Sequence, residues 1–583
     1  MRRRVLWLAT ALVLALATMV AAPVLLAGGE TINYADINKI KAEGLQRSQV
    51  MELSSWLSDV YTPRVTGSPT AMKAAEWAVA KMKAWGLSNV AIEPWVNRNG
   101  FDRGWTNDKF YMQATAPERF PIPGTPSAWT PGTSGLVSGE AVLVTATSEE
   151  DLAQYKGRLK GKWVLVVPAP DVPAFWDARA KRYKTDELDA MELQPAPPAL
   201  EFGVTPPGQR GAPAAAPQGQ RAAAPPAAAA QAGQRAGQAP AAAPATPTPP
   251  QLGGGGNARN AFLRAEGALG TITTTAIGHG IYTIGGNRSA DPATTLPAVS
   301  IAAEQYGRVV RTLAKNVPVT IEADIRNTYY PNPAVFNVVG EITGSDKADE
   351  VVLLGAHIDT WHAATGAADD GVGVAAMMEA LRILKTTGVP LRRTVRVGFW
   401  EGEEQGLLGS REYVAAHYAT RQAAPGAQAA PGPGQRGGPQ GPLVTKPEYD
   451  KFCVYFNIDN GTGALRGVYL QGNDAVAPIF REWMEPFRAL GMTTLTARNT
   501  GGTDHQSFDG VGLPGFQFIQ DEVEYNGITH HTNMDTYERL QPNDVIRMST
   551  IVAGWAYLAA NRDERLPRKP ANVPGQGGRR GGL

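Results

Sequence analysis

His357-Ile358-Asp359, Asp369-Asp370, Glu403-Glu404, Asp459 and His531-Thr532-Asn533-Met534-Asp535 follow one another in that order in the second half of a 583-residue chain. Each lies at or near the end of an apolar run. Imidazoles and carboxylates bind divalent cations through nitrogen and oxygen, and together these segments supply every side chain that a two-metal hydrolytic site needs. Of the 7 histidines in the chain, His357, His362, His505, His530 and His531 fall inside or beside these segments. Surface chance is a poor account of that clustering. A donor set made only of N and O suits zinc, with cobalt or manganese as substitutes, and argues against thiolate chemistry.

The spacing assigns work to several of these groups. His357, two residues before Asp359, can reach a metal while the nearby carboxylate accepts its other N–H and fixes its tautomer. Asp369, in the Gly-bounded turn "GAADDGVG", reads as a carboxylate bridging two metals, and Asp370 as the N-cap of the following helix. Adjacent residues in extended or turning chain point different ways. One of Glu403 and Glu404 can therefore bind metal while the other faces substrate as proton shuttle. Glu401 reads as a solvated neighbour. Asp459 and His531 complete the set. His279, His362 and His417 are read as structural, and His505, in "GGTDHQSFDG", as standing behind the ligands.

These side chains need elements to hold them. The wholly apolar "VVLLGA" (351–356) reads as a strand covered on both faces. "VGVAAMMEALRIL" (372–384) follows as a helix, "TVRVGFW" (394–400) as a strand, "GLLGSREYVAAHY" as a helix and "FCVYFNI" (452–458) as a third buried strand. Upstream, 71–85 has helical spacing and 89–95 looks like a strand. The alternation predicts an α/β fold, a sheet flanked by helices, with the polar motifs at the carboxyl ends of strands, where open α/β sheets place ligands. Residues 126–325 are richer in β-branched side chains and read as a smaller β-rich unit inserted into a discontinuous catalytic domain, 30–125 and 326–565.

Residues 194–257, 423–441 and the tail 567–583 are built from Ala, Pro, Gln and Gly with scattered Arg. Such stretches offer almost no large apolar side chains to offset ordering entropy, which predicts disordered loops. Met1-Arg-Arg-Arg followed by apolar residues from Val5 to about Ala22 predicts a secretory signal peptide over residues 1–27, with an uncleaved membrane anchor as the alternative. Export to the periplasm or the cell exterior follows. The lone Cys453 cannot form an intramolecular disulfide, so packing and metal must stabilise the fold. Lys+Arg (55) and Asp+Glu (54) nearly cancel, leaving no global field to hold a nucleic acid or an anionic membrane. A homodimer stays open.

The pieces "GAHIDTWHAATGAADDGVGVAAMMEALRIL", "RRTVRVGFWEGEEQGLLGSREYV", "NIDNGTG", "GLPGFQF" and "THHTNMDT" resemble the M28 family of zinc peptidases, in its secreted, carboxypeptidase Q-like branch. Trp361 looks like that branch more than like the bacterial leucyl aminopeptidases. The likeness covers 351–560 and, more loosely, 64–86. It implies a mixed-sheet zinc-peptidase domain with helices on both faces, plus an inserted β-rich protease-associated domain. One zinc would be held by His357, Asp369 and Asp459, and the other by Asp369, Glu404 and His531. Glu403 would be the general acid/base and Asp359 would orient His357. His530 stands where many relatives carry a Tyr that steadies the oxyanion.

The implied activity is a secreted di-zinc exopeptidase acting on short peptides or dipeptides. Asp521, Glu522 and Glu524 could attract an α-amino group or form a solvated acidic loop, and the reading taken is cleavage from the amino end, with carboxypeptidase action as runner-up. The rivals are a non-catalytic binding protein on the same scaffold and a one-zinc acyltransferase of the glutaminyl cyclase type. The presence of both His357 and Asp459 favours two metals.

Overall fold

The run from Val351 to Ala356 lacks polar side chains because both its faces are covered. The computed structural model describes residues 30–96, 100–146, 148–193, 257–422 and 442–569. Its first sheet contains β1 (Ser88–Pro94), β2 (Phe336–Ile342), β3 (Lys347–His357), β4 (Arg393–Trp400), β5 (Phe452–Asn457), β6 (Leu465–Tyr469), β7 (Thr494–Thr496) and β8 (Gly515–Gln520). They lie in the order β1-β2-β4-β3-β5-β8-β6-β7. The centre is parallel, β4 with β3, β3 with β5 and β5 with β8, and antiparallel pairs flank it. The sheet is therefore mixed.

Alternation along β3 sends Val352, Leu354 and Ala356 into the larger core, with Val395, Val397, Phe399, Val454 and Phe456 from the neighbouring strands. On that face lie helices α1 (Tyr34–Gln46), α2 (Val50–Ser55), α3 (Pro69–Ala84), α4 (Val372–Thr387) and α6 (Pro542–Asn561). Val351 and Leu353 point the other way, onto Trp400, Tyr455, Phe508 and the residues Tyr413 and Val414 of α5 (Leu408–His417). Each such side chain fully buried contributes about 1.5–3 kcal/mol. α3 starts where Ser68 accepts a hydrogen bond from the Ala71 N–H, with Pro69 in the first turn. It buries Ala71, Ala74, Ala75, Ala78 and Met82.

A second sheet runs Phe120–Pro121, Arg103–Ala116, Thr320–Pro331, Val137–Leu143, Trp163–Leu165, Gly270–Thr273, Ala298–Ile301, Gly124–Pro126. It extends beyond 126–325, the span expected for the inserted unit. Its longest pair joins Arg103–Ala116 to Thr320–Pro331 in antiparallel register, so residues 103–125, expected in the catalytic domain, belong to it. The signal was there in alternate residues. Met112 and Ala114 face the core with Ile321, Ala323 and Ile325, while the partner strand lies too far along the chain for local pattern to find it.

The expected signal peptide (1–27) and the loop 423–441 lie outside the described residues, as do 194–256 of the expected insert and 570–583 of the tail. Asn257 already begins the helix Asn257–Ala265. Residues 567–569, expected to be disordered, pack on the fold. The Pro567 carbonyl accepts from Asn473 Nδ2 at 2.7 Å and Lys569 Nζ donates to the Gln471 carbonyl at 3.1 Å. Among the described residues no helix is long and apolar enough to cross a membrane.

α1 is locked to α4 by charge as well as by packing. Arg382 of α4 donates to Glu379 (2.7 Å) and to Glu43 of α1 (2.7 Å), all three side chains being buried. Removing one partner leaves an uncompensated buried charge. Arg382→Met is expected to cost about 3–5 kcal/mol, read as a drop in the midpoint of urea unfolding. An unchanged midpoint would show that the triad adds nothing.

Candidate metal centre

β3 delivers His357 to the sheet's carboxyl edge, where it is 1% exposed. Its Nδ1 lies 2.9 Å from the carbonyl oxygen of Asp359, and an N–H there turns Nε2 towards Asp369 Oδ1 (3.1 Å) and Asp459 Oδ1 (3.5 Å). The acceptor is thus the Asp359 backbone, not its carboxylate, whose Oδ1 is 3.6 Å away. The carboxylate has other work. Oδ1 accepts from the Glu403 N–H at 3.1 Å and Oδ2 from Thr66 Oγ1 at 2.9 Å. Asp359 therefore fixes the turn that carries Glu403, because the strands that precede these two residues, β3 and β4, are direct neighbours.

Asp369 sits between β3 and α4 with its two oxygens facing different imidazoles, Oδ1 towards His357 and Oδ2 3.3 Å from His531 Nε2. His531 Nε2 is also 2.9 Å from Glu404 Oε2. Asp370 turns away, accepting from the His357 N–H (3.3 Å) and from the Gly373 N–H (3.2 Å) in the first turn of α4. The loop is held from outside by Asp535, whose carboxylate accepts from the N–H groups of Ala368 (2.6 Å) and Asp369 (3.1 Å). Beneath it Arg64, fully buried, donates to the carbonyls of Ile358 (2.7 Å), Leu57 (2.5 Å) and Gly366 (3.0 Å). Arg64 thus ties the backbone after His357 to the loop before Asp369.

The donor atoms form two groups that share Asp369. With metal–ligand bonds of about 2.0 Å, the edge of a zinc tetrahedron is about 3.3 Å. The observed separations, 3.1 and 3.5 Å around His357 and 3.3 and 2.9 Å around His531, scatter about that length. Asp369 Oδ2 and Glu404 Oε1 are buried and make no hydrogen bond, as expected of oxygens reserved for a cation. His357, Asp369 and Asp459 form one cation-sized cluster, and Asp369, His530 and His531 another. His530 Nε2 lies 3.8 Å from Asp369 Oδ2, and its ring lies tilted against that of His531 with centroids 3.9 Å apart.

Burial dominates the electrostatics. It pushes Glu404 up to about 7 against the pull of His531, and Asp535 to about 8. It lifts Glu403 well above the usual range against His357, with Asp459, Asp504 and Glu404 adding repulsion. For Asp369 the burial penalty is outweighed by His357 and His531, which hold it well below the ordinary value.

Other expectations change. Glu401 is not solvated. It is fully buried, accepts from the Gly67 and Phe336 N–H groups at 2.9 Å each, and burial raises it to about 8. Asp521 is not free to attract an amine, because Arg182 (2.9 Å) and Arg466 (2.8 Å) grip it, and Glu524 pairs with Arg539 at 3.0 Å. His505 bonds to the Thr500 carbonyl (3.1 Å), and burial lowers it to about 4. Its neighbour Asp504 is the buried group nearer the centre, raised to about 7 by burial against the pull of His357. His362 packs on Trp105 at 4.7 Å, His279 on Phe175 at 4.0 Å, and His417 lies 3.3 Å from Glu93. Arg64 and Asp535 carried no assigned role in the sequence reading. A buried-looking Arg before "TGSP" and an acid four residues after a candidate ligand are weak signals without the fold.

Residues 337–556 match the family model of Peptidase family M28. Carboxypeptidase Q of Mus musculus is 28% identical over 304 residues, 52% of this chain and 58% of its own length. Carboxypeptidase Q of Homo sapiens is 27% identical over 307 residues, with the same shares. The chain thus spans little more than half the length of the curated relatives it matches. Aminopeptidase YwaD of Bacillus subtilis is 24% identical over 251 residues, 42% of this chain and 49% of its own. The crystal structure of a peptidase M28 precursor from Shewanella amazonensis SB2B superposes with a TM-score of 0.60 at 21% identity, covering 92% of this chain and 98% of the other, which establishes the shared fold.

Arg64 braces the segments that carry His357 and Asp369 from outside the donor cluster, so its loss should act on cation affinity. Arg64→Met is expected to weaken zinc binding by about 10- to 100-fold, the range for residues that orient ligands. Competition with a zinc chelator measures it, and affinity within twofold of the parent protein would refute the bracing role.

Proposed function

The chain carries a domain of peptidase family M28, and on that premise we propose that it is a co-catalytic two-zinc exopeptidase hydrolysing the peptide bonds of short peptides or dipeptides. The observation that carries this reading is Asp369, whose two oxygens face His357 on one side and His531 on the other. His357, Asp369 and Asp459 would hold one ion, and Asp369, Glu404 and His531 the other, with cobalt or manganese as substitutes. Zinc bound there would polarise the scissile carbonyl and bring the pKa of a water towards neutrality.

Glu403 is the general base. Its backbone N–H is pinned to the Asp359 carboxylate, its carboxyl feels the charges of His357, Asp459 and Glu404, and Glu404 turns to His531. Glu403 takes the proton of the attacking water and returns it to the leaving amine as the peptide C–N bond breaks. Burial favours its protonated form, which suits the second half of that cycle. Asp359 positions both His357 and Glu403, one through its carbonyl and the other through its carboxylate. His530, tilted against His531 and 35% exposed, can donate a hydrogen bond to the oxyanion that develops on the carbonyl carbon's oxygen.

Cleavage from the amino end is the primary reading. Carboxypeptidase action is the second, and it gains weight from the likeness to carboxypeptidase Q and from the pairing of Asp521 and Glu524 with arginines. Rates on dipeptides blocked at one end or the other separate the two. Export belongs to the same reading and rests on the Met1 to Ala22 pattern. Residues 103–331 are proposed as a protease-associated unit.

Glu403→Gln should keep its zinc and lose about 10²- to 10⁴-fold in kcat, whereas Asp369→Ala should lose both ions. Zinc analysis beside a peptidase assay checks both, and a near-normal rate for Glu403→Gln sinks the proposed role.

A further inference from the structure

The loop that brings His531 to the centre leaves β8 at Asp521, and the second-sheet unit is bonded to it near both ends. At its start Lys181 and Val523 form an antiparallel bridge, the Lys181 N–H donating to the Val523 carbonyl at 2.8 Å and the Val523 N–H donating back at 2.7 Å. Arg182 beside this bridge reaches Asp521 at 2.9 Å and Asp544, in the first turn of α6, at 2.6 Å. The Tyr183 N–H adds a bond to Asp521 Oδ1 at 2.9 Å. The segment continues as the helix Thr185–Leu193, which packs Leu188 and Met191 on Ile519 of β8, and Thr496 Oγ1 of β7 donates to the Met191 carbonyl at 2.7 Å. Residues 181–193, which lie between the strands Trp163–Leu165 and Gly270–Thr273, are thus a strap from the second unit fastened to the first sheet.

The other end of the loop is held by residues 282–284, from between the strands Gly270–Thr273 and Ala298–Ile301. The Ile284 N–H donates to the His531 carbonyl at 2.8 Å, and Thr283 bridges Thr532. The Tyr282 N–H donates to Asn533 Oδ1 at 2.9 Å, and the Asn533 N–H donates back to the Tyr282 carbonyl at 3.2 Å. Between the two clamps the turn Tyr525–Thr529 closes on itself, with the His530 N–H donating to the Tyr525 carbonyl at 2.9 Å. Fixing both ends of such a turn fixes the direction in which its imidazoles point.

Both clamps fall on backbone that needs holding. Val523 has φ +48° and His531 φ +53°, in the left-handed region that a side chain with a Cβ disfavours and a β-branched one disfavours most. Residues in that region persist where their surroundings over-determine them. The remaining proposed ligands have support within the first sheet's own part of the chain. His357 ends β3, Glu404 and Asp459 follow β4 and β5, and Arg64 ties the His357 segment to the Asp369 loop. The second unit also touches Trp361 and His362, through Trp129 and the Pro126 carbonyl, but Arg64 holds the chain on either side of them at Ile358 and Gly366.

We propose that the second-sheet unit positions His531, with Arg182 and Asn533 as its positioning residues, so that the cation on the His531 side depends on the docking of that unit and the cation on the His357 side does not. The inference rests on the two-zinc reading for the ions. The clamp itself can be read in metal-free protein.

Zinc titration against a competing chelator and amide hydrogen exchange, both on the full-length protein, test it. Arg182→Ala and Asn533→Ala should each weaken one of two ions by about tenfold or more and leave the other unchanged. In the metal-free protein the same variants should speed exchange of the 528–533 amides and leave those of β3 as they were. Added to His531→Ala they should cost no further zinc, whereas added to His357→Ala they should weaken the ion that remains. Equal weakening of both ions, unchanged exchange in the loop, or exchange that rises as much in β3 would overturn the clamp. A parent protein that takes up fewer than two ions while loop exchange responds as stated would defeat the two-zinc reading and leave the clamp standing.

Discussion

The molecule has buried more negative charge at one place than its own cations can balance. Asp359, Asp369, Asp370, Glu403, Asp459 and Asp535 are all buried around His357 and Arg64, with Glu404 and His531 closing the ring. Taking a carboxylate out of water costs several kcal/mol even after relaxation, and burial accordingly drives Asp370, Glu403, Glu404 and Asp535 towards their neutral forms. On the proposed reading, divalent cations between the imidazoles would resolve the conflict, supplying charge that the chain itself does not.

The rest of the fold keeps that concentration of charge in register. The central strands run parallel, so the segments after β3, β4 and β5 emerge at one edge. The buried cores below them leave little freedom for those edges to shift. Rigidity at the edge is completed by groups that stand outside the donor cluster. Arg64 joins the His357 and Asp369 segments through backbone carbonyls, Asp535 holds the Asp369 loop by its N–H groups, and Asp359 ties β3's end to the Glu403 turn. The second sheet's 281–284 segment docks on the loop that carries His531.

What the sequence made legible divides along physical lines. Strands such as β3, β4 and β5 and helices such as α3 and α4 were readable because a covered strand and an amphipathic or buried helix write their packing into local periodicity. That His357, Asp369, Asp459, Glu404 and His531 come together was readable because these donor-type residues ended apolar runs. The edge of the second sheet at Arg103 was not, since Arg103–Ala116 pairs with Thr320–Pro331 and no local pattern reports a partner so distant. The same reason hid Arg64, whose acceptors Ile358 and Gly366 come from the other half of the chain. Glu401 looked solvated because acid type predicts exposure, and only the fold reveals the two backbone N–H groups that receive it. His357 took its orienting bond from a carbonyl where a carboxylate was expected, a difference of one torsion that spacing cannot resolve.

The most direct test is anomalous diffraction at the zinc edge from crystals of the zinc-loaded protein. Two peaks about 3.5–4 Å apart, with Asp369 between them, His357 and Asp459 on one and Glu404 and His531 on the other, are the predicted result. A single peak, or ions held away from Asp369, would contradict the account.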